Sequence, residues 1–223
     1  MINQPESADQ TPIFLPGLSL VDAQVTTRSF QRMRILNAFV RRVGNHGLSD
    51  TQIMDVCKEA SVSAKVFYSI FSSKVDCYEV AFSTGADFTY DVGRAAFNSH
   101  GGDPLERLLA AVHSILTVLA DFPDFARLSI VEPIFAGPSG AACLEDIICQ
   151  CQMAYGQGLT AASSPIFPVT ACRSAVVGSS IYLLRELIRD GRATELPKLA
   201  PVIIHTVGLF YREARRGDGS AAS

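Results

Sequence analysis

No apolar run in these 223 residues reaches the roughly 18 that a membrane span needs. Ile13 to Leu20 is mildly apolar, but two prolines and two acids precede it and no basic stretch does, so no signal peptide is expected. Charged residues are scarce at 18%, against 48% hydrophobic. That balance excludes a disordered body and supplies a core for one large domain or two small ones. The six cysteines show no paired spacing. Reduced cytoplasmic thiols are expected rather than a disulfide framework. His46, His100, His113 and His205 lie far apart, with no metal-ligand spacing. The stretch "GPSGA" (Gly137 to Ala141) lacks the nucleophile-elbow spacing and follows no strand. There is no glycine-rich phosphate loop either. These absences point away from an enzyme, a metal and a cofactor. No alternation of apolar and polar residues sits between hairpin turns, so no sheet is expected.

The net charge of −3 alone argues against a nucleic-acid partner, but its distribution argues the other way. From Ala23 to Ser49 there are five arginines (Arg28, Arg32, Arg34, Arg41, Arg42) and no acid. From Ala23 to Lys74 eight lysines and arginines face three acids, whereas from Val75 onward eleven face sixteen. A basic end on an acidic body is an electrostatic footprint for a polyanion. Chance clustering on a solvated helix gives the same pattern.

What is present is helical throughout. Residues 1 to 24 mix Pro, Gly, Gln, Ser and Asp and read as a flexible tail. From Thr26 or Thr27, Phe30, Met33, Leu36, Ala38, Phe39, Val40 and Val43 give a helical rhythm that stops near Gly44, with Asn45 and Gly47 available for left-handed positions. Ser49 or Asp50 caps a second helix with Ile53, Val56, Cys57 and Ala60 inward. Ser63 caps a short third helix, Ala64 to Ile70, and Ser73 a fourth, from about Lys74 to Phe97. Asp103 caps the next, with Pro104 at its first position, running to Asp121. A short helix from Pro123 fades at Pro133. Others follow over Pro138 to Leu159, Val169 to Arg189 and Leu196 to about Arg215, with a final flexible tail over 216–223. The expected fold class is all-α, with about nine helices. A three-helix domain over 25–75 precedes a larger helical domain over 76–215.

The second and third helices, joined by Ala60-Ser61-Val62-Ser63, have the dimensions of a helix-turn-helix. Small turn residues let the two helices approach, and Val62 plugs the turn. Phe67 and Phe71, and likewise Val66 and Ile70, are four apart, so one pair anchors inward. Ser63, Ala64, Lys65, Tyr68 and Ser69 form the outward set, small, polar or basic as a groove-facing surface requires.

At this point residues 28 to 80 resemble the DNA-binding domain of TetR-type transcriptional regulators. The pattern is T-x-x-x-I-A-x-x-A-G-V-S-x-x-x-x-Y-x-x-F-x-x-K. Ala60, Val62, Ser63, Tyr68, Phe71 and Lys74 match it in type and spacing. The chain departs from it at Ser61 (turn Gly), at Gln52 (Thr, with Thr51 adjoining) and at Lys65-Val66 (often Gly-Thr). The resemblance implies that Tyr68, Lys74 and Thr51 or Gln52 contact phosphates. It implies that Ser63, Lys65 and Ser69 face base edges, and that Arg28 and Arg32 reach the flanking backbone.

It also implies a cytoplasmic homodimer that binds palindromic operator DNA as a repressor and is released by a small molecule. The last two long helices would pair between copies through Ala175, Gly178, Ser179, Tyr182, Ile203, Val207 and Phe210. The same apolar faces equally suit internal core. Polar residues inside the apolar helices (Tyr90, His113, Glu132, Tyr155) are candidates for an effector pocket. A buried structural histidine is the competing reading of His113. The alternative function is a thiol-redox regulator built on Cys143, Cys149 and Cys151. Positions 149 and 151 point about 200° apart on a helix, too far round to bridge.

Overall fold

The computed structural model describes residues 14–17, 27–159 and 169–219, with side chains over 14–17, 27–151 and 174–209. Among them are nine α-helices and no strand. These are α1 (Thr27–His46), α2 (Ile53–Glu59), α3 (Ala64–Ile70), α4 (Lys74–Ser99), α5 (Pro104–Asp121), α6 (Pro123–Ala126), α7 (Gly137–Leu159), α8 (Val169–Arg189) and α9 (Ala200–Gly219).

Helices α1 to α3 form a head. Ile35, Leu36, Phe39, Val40 and Val43 of α1 are at most 0% exposed, and they meet Val56, Cys57, Phe67 and Phe71 in one core. Each such side chain contributes about 1.5–3 kcal/mol on burial. The body continues that core through α4 (Cys77, Tyr78, Ala81, Phe82), α5 (Leu108, Val112, Leu116, Leu119), α8 (Val176, Val177, Leu184, Ile188) and α9 (Ile203, Val207). Close helix crossings are made by glycines. Gly85 of α4 lies against the Phe125 ring, and Gly44 of α1 against the Asp124 side chain, with no room for a Cβ at either position.

Three boundaries differ from the sequence reading, each for a local reason. α1 runs on past Gly44 to His46, and it is Gly47, at φ 83°, that takes the left-handed exit. α2 starts at Ile53, capped by the Gln52 backbone rather than by Ser49 or Asp50, because residues 48–51 form a turn held by other elements. Pro197 keeps Ala193–Leu199 in a 3-10 helix, so α9 begins at Ala200. The Asp103 cap is as expected. Its carboxylate accepts the Leu105 and Glu106 amides at 2.8 and 3.0 Å, and Glu106 accepts the Asp103 amide at 3.0 Å.

The expected N-terminal tail contains an anchored stretch. Leu15 is 0% exposed and Pro16 is buried. The Phe14 amide donates to Asn37 Oδ1 at 2.7 Å, and the Arg41 guanidinium sits 5.2 Å from the Phe14 ring centroid. Gly17, at φ 77°, abuts Phe88 of α4. This strap therefore bridges head and body.

Between α6 and α7 the chain makes a π-turn (Arg127–Val131) and then a 3-10 turn (Glu132–Phe135). Pro133 lacks the N–H that would continue the ladder. An irregular turn of this kind inside a helical run is where function often concentrates.

Candidate nucleic-acid interface

The helix-turn-helix is built as its residue types require. Three bonds close the end of α2: Ala60 N–H to Val56 O at 2.8 Å, Ser61 N–H to Lys58 O at 3.2 Å and Val62 N–H to Cys57 O at 2.9 Å. This is a Schellman closure, with Ser61 in the left-handed position at φ 51°. The same closure at the end of α8 uses Gly191, at φ 71°. Ser61 thus performs a glycine's task at a cost of roughly 1–2 kcal/mol.

Ser63 then caps α3, its Oγ accepting the Val66 amide at 3.2 Å. Phe67 and Phe71 are the inward pair, 0% and 2% exposed, with ring centroids 5.6 Å apart. Val66 and Ile70 are only half-buried. Tyr68 stands edge-on to Phe67 at 5.4 Å and is 57% exposed, so its hydroxyl end faces out. Ser63, Lys65 and Ser69 are exposed on the same short helix, and Gln52 and Arg32 are exposed nearby in the head. These six residues form the accessible set.

Three of the expected contacts are engaged inside the protein. Thr51 is 0% exposed and its hydroxyl donates to Gly47 O at 2.7 Å, so of the two phosphate candidates on α2 only Gln52 faces solvent. The Lys74 ammonium donates to three carbonyls of the turn before α2: Leu48 at 2.9 Å, Thr51 at 3.2 Å and Ser49 at 3.4 Å. Arg28 Nη2 donates to Ser69 O, in the last turn of α3, at 2.7 Å. Arg41 pairs with Glu59 and Arg42 with Asp55, both at 3.2 Å. Exposed pairs of this sort contribute at most about 1 kcal/mol. They do lower the positive field of the head, which leaves Arg28, Arg32, Lys58 and Lys65, among the described residues, as its exposed cations clear of acidic partners.

The expected effector residues do not converge. His113 is exposed and Tyr90 is 40% exposed; both lie on the polar face of helices whose other face forms the core. The Tyr155 side chain lies outside the described residues. Glu132 is 2% exposed, but it connects body to head: Oε2 accepts the Leu48 amide at 2.8 Å and Oε1 accepts Arg127 Nε at 3.1 Å. The body's buried hydroxyls are engaged too. Thr89, Ser129 and Ser180 each donate to the carbonyl four residues back, at 2.7, 2.9 and 2.7 Å.

The expected dimer residues split by helical phase. Ala175, Gly178, Ser179 and Tyr182 (62%) are exposed on one side of α8. Ile203 and Val207 are 4% and 0% exposed and belong to the core, because they lie on the face of α9 that packs on α5. Val202 (52%) and Leu209 (50%), one position before and two after, are the outward apolar residues of α9. The Phe210 side chain lies outside the described residues. A groove of about 240 Å³ between α5 and α9 is lined by Leu105, Leu109, Pro201, Ile204, His205, Gly208 and Leu209.

No family model matches this sequence, and none of the curated proteins is similar to it. Solved structures are similar. The fatty acid degradation regulator FadR of Bacillus halodurans superposes with a TM-score of 0.68 at 17% identity, over 79% of this chain and 94% of that one. FadR of Bacillus subtilis, in complex with stearoyl-CoA, gives 0.67 at 15%, over 78% and 96%. A TetR family transcription regulator from Marinobacter aquaeolei VT8 gives 0.60 at 21%, over 79% and 93%. The chain has the TetR-type fold. In that fold α3 is the second helix of the helix-turn-helix, and α8 and α9 are the last two helices. Arg127 and Arg185, which carry no motif and no periodic signal, emerge as structural partners of the π-turn only in three dimensions.

Proposed function

We propose that the protein is a TetR-type transcriptional regulator, a repressor rather than an enzyme, that binds palindromic operator DNA as a cytoplasmic homodimer and is released by a small molecule. The observation that carries this reading is the seven-residue α3. It is pinned from beneath by Phe67 and Phe71 and presents Ser63, Lys65, Tyr68 and Ser69 outward. Its N-terminal half has the size and chemistry to enter a major groove. Lys65 reads a base edge, Tyr68 and Gln52 hold phosphates, and Arg32 adds charge at the flank. Pairing occurs through the outward faces of α8 and α9, where Gly178 and Ser179 permit close approach and Tyr182, Val202 and Leu209 supply apolar anchors. Two-fold pairing makes the operator palindromic.

The small-molecule reading is supported by the likeness to a regulator solved with stearoyl-CoA. The thiol-redox reading finds less support. Burial pushes the Cys143 thiol up, and that of Cys151 to about 11, which disfavours the reactive thiolate at neutral pH. The test is selection of bound duplexes from a random pool at physiological salt. A palindromic consensus is expected, and the reading fails if none emerges.

A further inference from the structure

The backbone turn between α1 and α2 is held from outside the head. Its Leu48 N–H goes to Glu132, and its Leu48, Ser49 and Thr51 carbonyls go to Lys74 of α4. Ile53, the first residue of α2, follows one residue after Gln52. The direction of this turn therefore sets the direction of α2, and through the Schellman closure that of α3. Glu132 in turn sits at the exit of the π-turn, and its other oxygen holds Arg127 of that turn.

The π-turn is held from α8. Pro133 has no N–H to offer the Ile130 carbonyl three residues back. Arg185 of α8 takes that carbonyl instead, through Nε at 3.3 Å and Nη2 at 3.2 Å. Hydrogen bonds therefore tie α8 to the π-turn at Ile130 and tie Arg127 of the same turn, through Glu132, to Leu48; between Ile130 and Arg127 the link is the turn's own backbone. A buried carboxylate bonded to a backbone amide in another unit is a costly thing to leave unpaired, so the connection is stiff.

We infer that Glu132 is a positioning residue for DNA reading. It fixes the angle of each head on its body, and Arg185 ties that angle to α8. The placement of α8 at the pairing face thereby sets the separation of the two α3 helices. This inference rests on the dimeric operator-binding reading above.

The test uses the full chain and the operator selected as described above. Binding of wild type, Glu132→Gln, Arg185→Gln and the double variant is measured to three duplexes: the palindrome, a single half-site, and palindromes with the half-site spacing changed by one base pair. Glu132→Gln is expected to weaken palindrome binding about tenfold while half-site binding stays within about twofold, and to flatten the spacing preference. The Leu48 amide is expected to exchange faster with solvent. Arg185→Gln should move the same readouts in the same direction. The double variant should resemble Glu132→Gln alone, because both residues act along one path. If Glu132→Gln does not fold, as judged by its circular dichroism melt, Arg185→Gln carries the same test. Equal loss on palindrome and half-site, or no change in either, overturns the inference. Failure of the wild type to select any palindrome overturns the underlying functional reading instead.

Discussion

Arg28 at the start of α1 donates to the carbonyl of Ser69 in the last turn of α3, at 2.7 Å across 41 residues of chain. The first helix thus grips the C-terminal end of the helix that faces outward. On this geometry Arg28 is expected to orient α3 rather than to contact a phosphate. A direct phosphate contact contributes about 0.9 to the slope of log affinity against log salt. Arg28→Ala is expected to weaken operator binding severalfold with that slope unchanged, as read from titrations between 50 and 200 mM salt. A slope reduced by a full contact would return Arg28 to the phosphate backbone.

Lys65 is the exposed cation on α3, at a position where the resembling family is often bare. A lysine that reads guanine discriminates by about 1–3 kcal/mol against the wrong base. Lys65→Ala should therefore relax preference at one base pair in each half-site and leave the other positions alone. Repeating the pool selection with the variant checks this. An unchanged consensus would remove Lys65 from base reading.

Ser61 occupies a left-handed position that glycine fills at no steric cost. Ser61→Gly should raise stability by up to about 1 kcal/mol, once the greater entropy of glycine in the unfolded chain is set against the relieved strain. Urea unfolding at fixed slope measures it. Operator affinity should be retained, because the turn geometry is the one already present.

Asp124, the second residue of α6, lies in close contact with Gly44 of α1, and burial pushes its carboxyl pKa up. Arg41 and Arg127 pull it back in part, and Glu59 adds to the rise. For an acid whose folded pKa is raised, the charged form opposes folding. The favourable contribution exists when the group is protonated and is lost as pH rises through the folded pKa. Asp124→Asn, which stays neutral, should thus be more stable than wild type at pH 7. The advantage should shrink as pH falls into the carboxylate range. Parallel urea melts at pH 7 and pH 4 test the sign. A variant less stable at pH 7 would show that Asp124 makes a favourable charged contact.

The short helix α3 was legible in the sequence because its constraints are local. Ser63 caps whatever follows it, and a Phe pair four apart on a seven-residue helix has one face to share. The outward faces of α8 and α9 were half legible. Ala175, Gly178, Ser179 and Tyr182 are exposed on α8, whereas for Ile203 and Val207, whose apolar face suited pairing and internal core equally, α9 turns them into the core. A helix with apolar residues on several sides does not declare which side meets its own body. The phase of Tyr90 and His113 was illegible for the same reason: they lie on the outward stripe, a phase that α4 and α5 acquire only by packing on each other.

By itself, then, the sequence determined the elements: where helices start, where Ser, Pro and Gly stop them, which end is basic, and which short helix carries small, polar and basic side chains on its outer face. These depend on backbone geometry and on neighbours within about a turn. Only the tertiary structure decided what distant polar groups do. Lys74 and Thr51 hold the turn before α2, Glu132 joins that turn to the body, Arg185 grips the π-turn, and Leu15 straps an apparent tail into the core. Each of those roles rests on a partner more than 20 residues away or on burial by another element. A buried polar group must find a partner wherever the fold supplies one, and no local pattern records which partner that is.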